Sequence, residues 1–85
     1  MHVTVISPEK AIFDGDAASV TAPAFDGLVG ILPGHAPFMT LLGEGALTVQ
    51  GVGETHAFEV QRGFLQVVDD NVRVVTEQAT EQDKE

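Results

Sequence analysis

Cysteine is absent from this chain, so neither a disulfide nor a thiolate zinc site can brace the fold. That absence fits a reducing compartment. Tyrosine is absent too, and neither Ser7 nor Ser19 lies in a Gly-x-Ser-x-Gly elbow, which leaves no recognisable nucleophile for covalent catalysis. No apolar run approaches the ~20 residues of a membrane-spanning helix. The N-terminus shows neither the basic start nor the apolar block of a signal peptide. These absences set the expectation of a soluble, intracellular protein. Basic residues are scarce: four Lys and Arg stand against thirteen Asp and Glu, a formal charge of −9. Nucleic acid and anionic lipid are poor partners for such a chain, because cationic side chains must neutralise their phosphates. A basic protein surface suits it better, through complementary potentials.

What is present is a pattern of short strands. Eighty-five residues make one domain, and a chain of that size buries only about 60–65% of its unfolded surface. The hydrophobic share of 44% is enough for a thin core. Val3–Ile6, Lys10–Phe13, Ser19–Ala22, Leu28–Leu32, Phe38–Leu42, Ala46–Gln50, Thr55–Gln61, Phe64–Val68 and Val72–Thr76 read as extended runs parted by turn signals. Gly51–Glu54 and Asp69–Asn71 read as hairpin turns. Helix evidence is confined to Glu77–Glu85, whose one apolar residue, Ala79, cannot dock a helix. Residues 1–76 are therefore expected to form the domain and 77–85 a frayed, polar, acidic tail. Two antiparallel sheets packed face to face suit the pattern. Parallel pairing needs crossovers of roughly a dozen residues or more, and none is visible.

The segment from Phe25 to Pro37, FDGLVGILPGHAP, concentrates glycine and proline between two apolar stretches. Such residues impose backbone angles and shape a loop rather than loosen it. Shaped loops on rigid scaffolds carry contacts, so function is sought here first. The glycines resemble a phosphate-binding loop only superficially, because no Lys-Ser/Thr pair follows them. The three histidines, His2, His35 and His56, are scattered and give no reason to expect a metal site.

Taken with the strand order, several strings carry a resemblance. They are Val5-Ile6-Ser7-Pro8-Glu9, Ile12-Phe13-Asp14-Gly15, Asp26-Gly27 with Gly30-Ile31-Leu32-Pro33-Gly34-His35-Ala36-Pro37, Gly63-Phe64-Leu65-Gln66-Val67 and Asn71-Val72-Arg73-Val74-Val75. Over nearly its whole length the chain resembles the epsilon subunit of F-type ATP synthases, the mitochondrial delta type. The resemblance implies an all-β fold, a flattened antiparallel β-sandwich of about ten short strands. It implies a non-catalytic rotor subunit of the central stalk that bridges the gamma subunit and the polar loops of the c-ring. Such a subunit couples proton-driven rotation to ATP synthesis from the cytoplasmic face of the bacterial plasma membrane, as a peripheral component without lipid insertion. Many family members continue into a C-terminal helical hairpin that inhibits hydrolysis and in some binds ATP. This chain carries neither the hairpin nor its Asp-x-x-Arg-Ala motif, so ATP binding is not expected and no cofactor is implied.

By the same resemblance, Asp26, Gly27 and Leu28 align with the c-ring contact, although many members have a glutamate where Leu28 stands. Ser7, His35 and Thr40 align near the gamma subunit. Gly30, Pro33, Gly34 and Pro37 are expected to be structural, shaping the loop. The dense apolar group Phe38, Met39, Leu41 and Leu42 exceeds what one sheet face needs and points to a patch docking against gamma. A rival reading is a carrier domain of the lipoyl or biotinyl type, with Glu9-Lys10-Ala11 as its lysine site. Against it, carrier lysines sit mid-chain, whereas Lys10 has one strand before it. Another protein-interaction β-sandwich is the remaining alternative.

Overall fold

The computed structural model describes residues 1–81, all in strands, turns and short connections. The strands are β1 (His2–Ile6), β2 (Ala11–Asp16), β3 (Ser19–Ala24), β4 (Gly27–Ile31), β5 (Phe38–Leu41), β6 (Gly45–Gln50), β7 (Thr55–Val68) and β8 (Asn71–Glu81). β7 and β8 form one long antiparallel hairpin, in register from Val68↔Asn71 to Phe58↔Glu81. Halfway along, β7 changes its outer neighbour and β8 loses one. Residues 55–60 of β7 pair with β6, whereas residues 64–67 pair with β5. Residues 71–75 of β8 pair with β1. The hairpin thus passes from one layer of the sandwich into the other. One layer runs β2-β1-β8-β7-β5 and the second β8-β7-β6-β3-β4. Eight continuous strands, two of them shared by both layers, supply ten segments, which accounts for the expected number.

Two expectations fail. β1 and β8 pair in parallel, His2↔Asn71 through Ile6↔Val75. The crossover that parallel pairing needs is no local loop here: residues 7–70, most of the domain, serve as the connection. The last strand also does not stop at Thr76. It continues to Glu81, with Gln78, Ala79 and Thr80 opposite Gln61, Val60 and Glu59. Ala79 packs half-buried against the core, and the polar residues beside it are those of an edge strand in the second layer. The remainder of the expected tail, 82–85, lies outside the described residues.

The core is what the two-residue period dictates. Val3, Val5, Leu65, Val67, Val72 and Val74 point inward from the first layer. Val20, Ala22, Ile31, Leu47, Val49, Phe58 and Val60 point inward from the second. Burial of such side chains is worth about 1.5–3 kcal/mol each. The Phe13 ring of the edge strand β2 packs tilted against His56 of β7, ring centroids 4.9 Å apart, and so closes one side between the layers.

The layer-crossing bend depends on three residues. Arg62 and Gly63 both have positive φ, 57° and 129°. A Cβ on Gly63 would run into the Val75 carbonyl oxygen and come within 2.7 Å of the Thr76 Cα. Across the ladder, the buried Thr76 hydroxyl lies 2.8 Å from the Gln61 carbonyl and 3.0 Å from that of Gln78, its proton shared between them. The Arg62 guanidinium approaches Glu77 at 3.9 Å. Both side chains are well exposed, so that pair adds little.

Gly30 differs. It lies within β4 opposite Thr21, its φ is outside the left-handed range, and an added Cβ would meet open space. The expectation that it shapes a loop is not met. Urea denaturation separates the two glycines. Gly63→Ala is expected to lose about 2–4 kcal/mol, and Gly30→Ala to stay within about 0.5 kcal/mol of the parent.

Candidate interaction surface

β5 is short, lies at an edge and pairs with β7 alone among the named strands. Its sequence, Phe38-Met39-Thr40-Leu41, is apolar on both faces. Phe38 turns toward the core, and Leu42 just beyond is buried. Met39 and Leu41 therefore point outward, 59% and 62% exposed. Register carries the apolar character across the layer. Leu41 lies opposite Phe64, Phe64 opposite Val75, and Val75 beside Ile6. This band crosses β5, β7, β8 and β1, roughly 14 Å at the usual strand spacing. Two residues along, the next row on the same face is polar apart from Met39, with Gln66, Arg73, Thr4 and Asp14 in line. The outer face of this layer thus carries an apolar row beside a polar one.

At the β5 edge the band opens into a groove of about 350 Å³ lined by Phe25, Met39, Thr40, Leu41 and Phe64. Phe25 reaches it from the other layer. The β3–β4 hairpin closes through Phe25 and Asp26 between Ala24 and Gly27, and the Phe25 amide donates to the Leu41 carbonyl at 3.0 Å. A second bond, from the Gly43 amide to the Pro23 carbonyl at 2.7 Å, secures the same junction. The Asp26-Gly27-Leu28 turn is thereby held beside the groove. Asp26 and Gly27 are exposed, and Leu28 is 76% exposed. Gly27, at φ 132°, occupies backbone space closed to most side chains.

The segment 25–37, read as one shaped loop, is divided. Residues 27–31 are strand β4, paired along its length with β3. The true connection is 32–37, which leads from β4 in one layer to β5 in the other. Gly34 sits there at φ 83°, between the exposed Pro33 and the half-buried His35. The His35 ring lies edge-on to Phe38, centroids 5.5 Å apart, with Nδ1 2.8 Å from the Ala36 carbonyl oxygen. Pro37 ends the connection just before β5.

Ser7, His35 and Thr40 are not gathered into one cluster. Thr40 lines the groove. Ser7 follows Ile6 at the far end of the apolar band, and its hydroxyl donates to the Lys10 carbonyl at 3.2 Å. His35 lies toward the opposite end of the first layer, where the neighbouring Gly34 bonds the β7–β8 turn. Sequence reasoning gave no role to Phe25, Phe64 or Val75. The signal for Phe64 was available: with Leu65 and Val67 inward, the two-residue period turns it outward. Phe25 had no such signal, because it sits in a turn.

These features match a known family. The family model for the ATP synthase delta/epsilon chain β-sandwich domain matches residues 1–82. The chain belongs to that family. It is 38% identical over 81 residues to the ATP synthase epsilon chain of Caulobacter vibrioides, covering 95% of this chain and 94% of that protein. The epsilon chain of Leptospira borgpetersenii is 38% identical over 77 residues, covering 91% of this chain but 61% of the relative. That of Solibacter usitatus is 41% identical over 79 residues, covering 93% of this chain and 59% of its own length. The chain thus spans about three fifths of the latter two epsilon chains. Among solved structures, the mitochondrial ATP synthase of Euglena gracilis holds a chain that superposes with a TM-score of 0.86 at 26% identity, covering 93% of this chain and 51% of that one.

In this epsilon-type domain Leu41 lies on the outer face of the first layer and Leu65 in the core. Leu41→Ser is expected to change unfolding free energy by less than about 0.5 kcal/mol, whereas Leu65→Ala, directly behind the same sheet, loses about 2–5 kcal/mol. Equilibrium urea unfolding of both variants is the check.

Proposed function

We propose that this chain works in the central stalk of an F-type ATP synthase, bridging the gamma subunit and the polar loops of the c-ring. In this reading it is a peripheral, non-catalytic component on the cytoplasmic face of the bacterial plasma membrane. It transmits rotation between the proton-driven ring and the catalytic head. The observation that carries the reading is the exposed apolar groove of Phe25, Met39, Leu41 and Phe64 on a domain of this family. An apolar surface of that kind needs a protein to cover it. The gamma subunit is assigned to the groove and the adjoining apolar band, with Ser7 and Thr40 at its ends and His35 on the connection leading into β5.

The c-ring is assigned to the Asp26-Gly27-Leu28 turn, which projects into solvent and is anchored to β5 through Phe25. Asp26 supplies a carboxylate for a basic ring loop, and Leu28 supplies an apolar contact where an acid is common in the family. The excess of acidic residues, thirteen against four basic, favours basic partner surfaces generally. With the family assigned, the carrier-domain alternative loses its basis, which was a sandwich of similar length with an early lysine.

Binding to the gamma subunit of the same organism tests the first contact. Leu41→Asp, which buries a charge in the groove on docking, is expected to weaken the complex at least about tenfold in titration calorimetry while the free domain stays folded. Unchanged affinity would remove gamma from the groove. Asp26→Lys tests the second. In reconstituted enzyme it is expected to lower ATP-driven proton pumping relative to hydrolysis, with the domain's unfolding midpoint unchanged.

A further inference from the structure

We infer that Asp70 is a positioning residue that pins the Pro33-Gly34-His35 turn, and with it the approach of β5, in the pose that docks. The inference rests on the stalk reading for what the turn contacts, and on geometry for the pin itself. Val68 and Asn71 pair as the last rung of the β7–β8 hairpin, so Asp69 and Asp70 alone form its loop. Both have positive φ, 51° and 63°. That is a type I′ turn, in which glycine is the favoured second residue. Asp70 occupies that second place, where glycine is favoured and aspartate is tolerated. Its side chain adds a contact that glycine could not make. The Asp70 carboxylate accepts a hydrogen bond from the Gly34 amide at 2.9 Å, joining elements 36 residues apart in sequence.

The pin matters because of what it holds. The connection 32–37 carries the chain from the second layer to the first. Within itself it is secured by the His35 amide donating to the Leu32 carbonyl at 3.1 Å and by the His35–Ala36 contact. Those bonds shape the turn but do not fix it to the body of the domain. The Asp70 carboxylate does. Directly after the turn, Phe38 lies opposite Val67 next to the same hairpin loop, and Met39 and Leu41 of the groove follow. Asp70 also touches the Met1 ammonium at 3.7 Å through its other oxygen, and its carbonyl accepts from the His2 amide at 3.1 Å. The main-chain bond survives any side-chain substitution, and the ammonium contact responds to charge. The two can therefore be separated from the pin.

The variants are Asp70→Gly, which removes the acceptor and suits the turn, and Asp70→Asn, which keeps an acceptor oxygen, loses the charge and also tolerates positive φ. In the full chain, Asp70→Gly is expected to unfold at the same temperature as the parent or higher. Its Gly34 amide nevertheless exchanges with solvent about tenfold faster or more, as the loss of a charge-assisted bond predicts. Affinity for gamma falls severalfold in the same variant, and Asp70→Asn restores both properties. A residue that served only folding would lose stability and binding together. Unchanged Gly34 exchange in Asp70→Gly overturns the pin. Faster exchange with parental affinity overturns its role in docking. Failure of the unmodified chain to bind gamma instead counts against the stalk reading, while the exchange comparison still decides the pin.

Discussion

The close approach of β8 to Gly63 is the constraint on which the fold depends. No side chain fits between Gly63 and the Val75–Thr76 backbone, and the left-handed turn of Arg62-Gly63 redirects β7 at the same point. Beside the bend, the buried Thr76 hydroxyl lies within hydrogen-bond reach of both the Gln61 and the Gln78 carbonyl. The bend allows one hairpin to lie against β5 and β1 in one layer and against β6 in the other. Without it, β7 and β8 would remain in a single sheet and the two apolar faces would not close on each other.

The contact surfaces follow from that arrangement. Because β7 changes layers, β5 becomes an edge strand beside residues 64–67, and its outward residues are left uncovered. The β3–β4 turn belongs to the opposite layer, yet the Phe25–Leu41 and Gly43–Pro23 bonds hold it to the β5 end. An apolar groove and an acidic turn thereby meet at one junction, though they arise from different sheets. Neither depends on a long flexible loop. Each is a short turn or edge strand braced by main-chain hydrogen bonds, which suits surfaces that must keep a fixed relation to each other.

Much of the sandwich was legible because burial leaves a period of two in sequence. Leu47 and Val49, Phe58 and Val60, Leu65 and Val67 all alternate with residues that face out, and all are buried. The apolar excess of Phe38–Leu42 likewise pointed to an outer patch. Strand 77–81 left no such trace, because an edge segment with Ala79 as its one apolar residue looks like a solvated tail. The parallel β1–β8 pair was illegible for a different reason: local sequence holds no record of which distant strand completes a sheet. The run Leu28–Leu32 was visible, but the glycines around it suggested one shaped loop even where, as at Gly30, the backbone is ordinary strand. Of the interaction surface, Met39 and Leu41 could be read in advance. Phe25 and Asp70 could not, because each acts through a single bond to a remote element.

A hairpin common to both layers also changes how the domain bears load. In a sandwich whose sheets touch only through side chains, a twisting force on one sheet is resisted by packing alone and can be relieved by shear. Here the same two peptide strands run through both sheets, paired with each other on both sides of the bend. Sliding one sheet over the other would require stretching covalent backbone or rupturing that ladder. Shear between the layers is therefore opposed by continuous backbone as well as by side-chain packing.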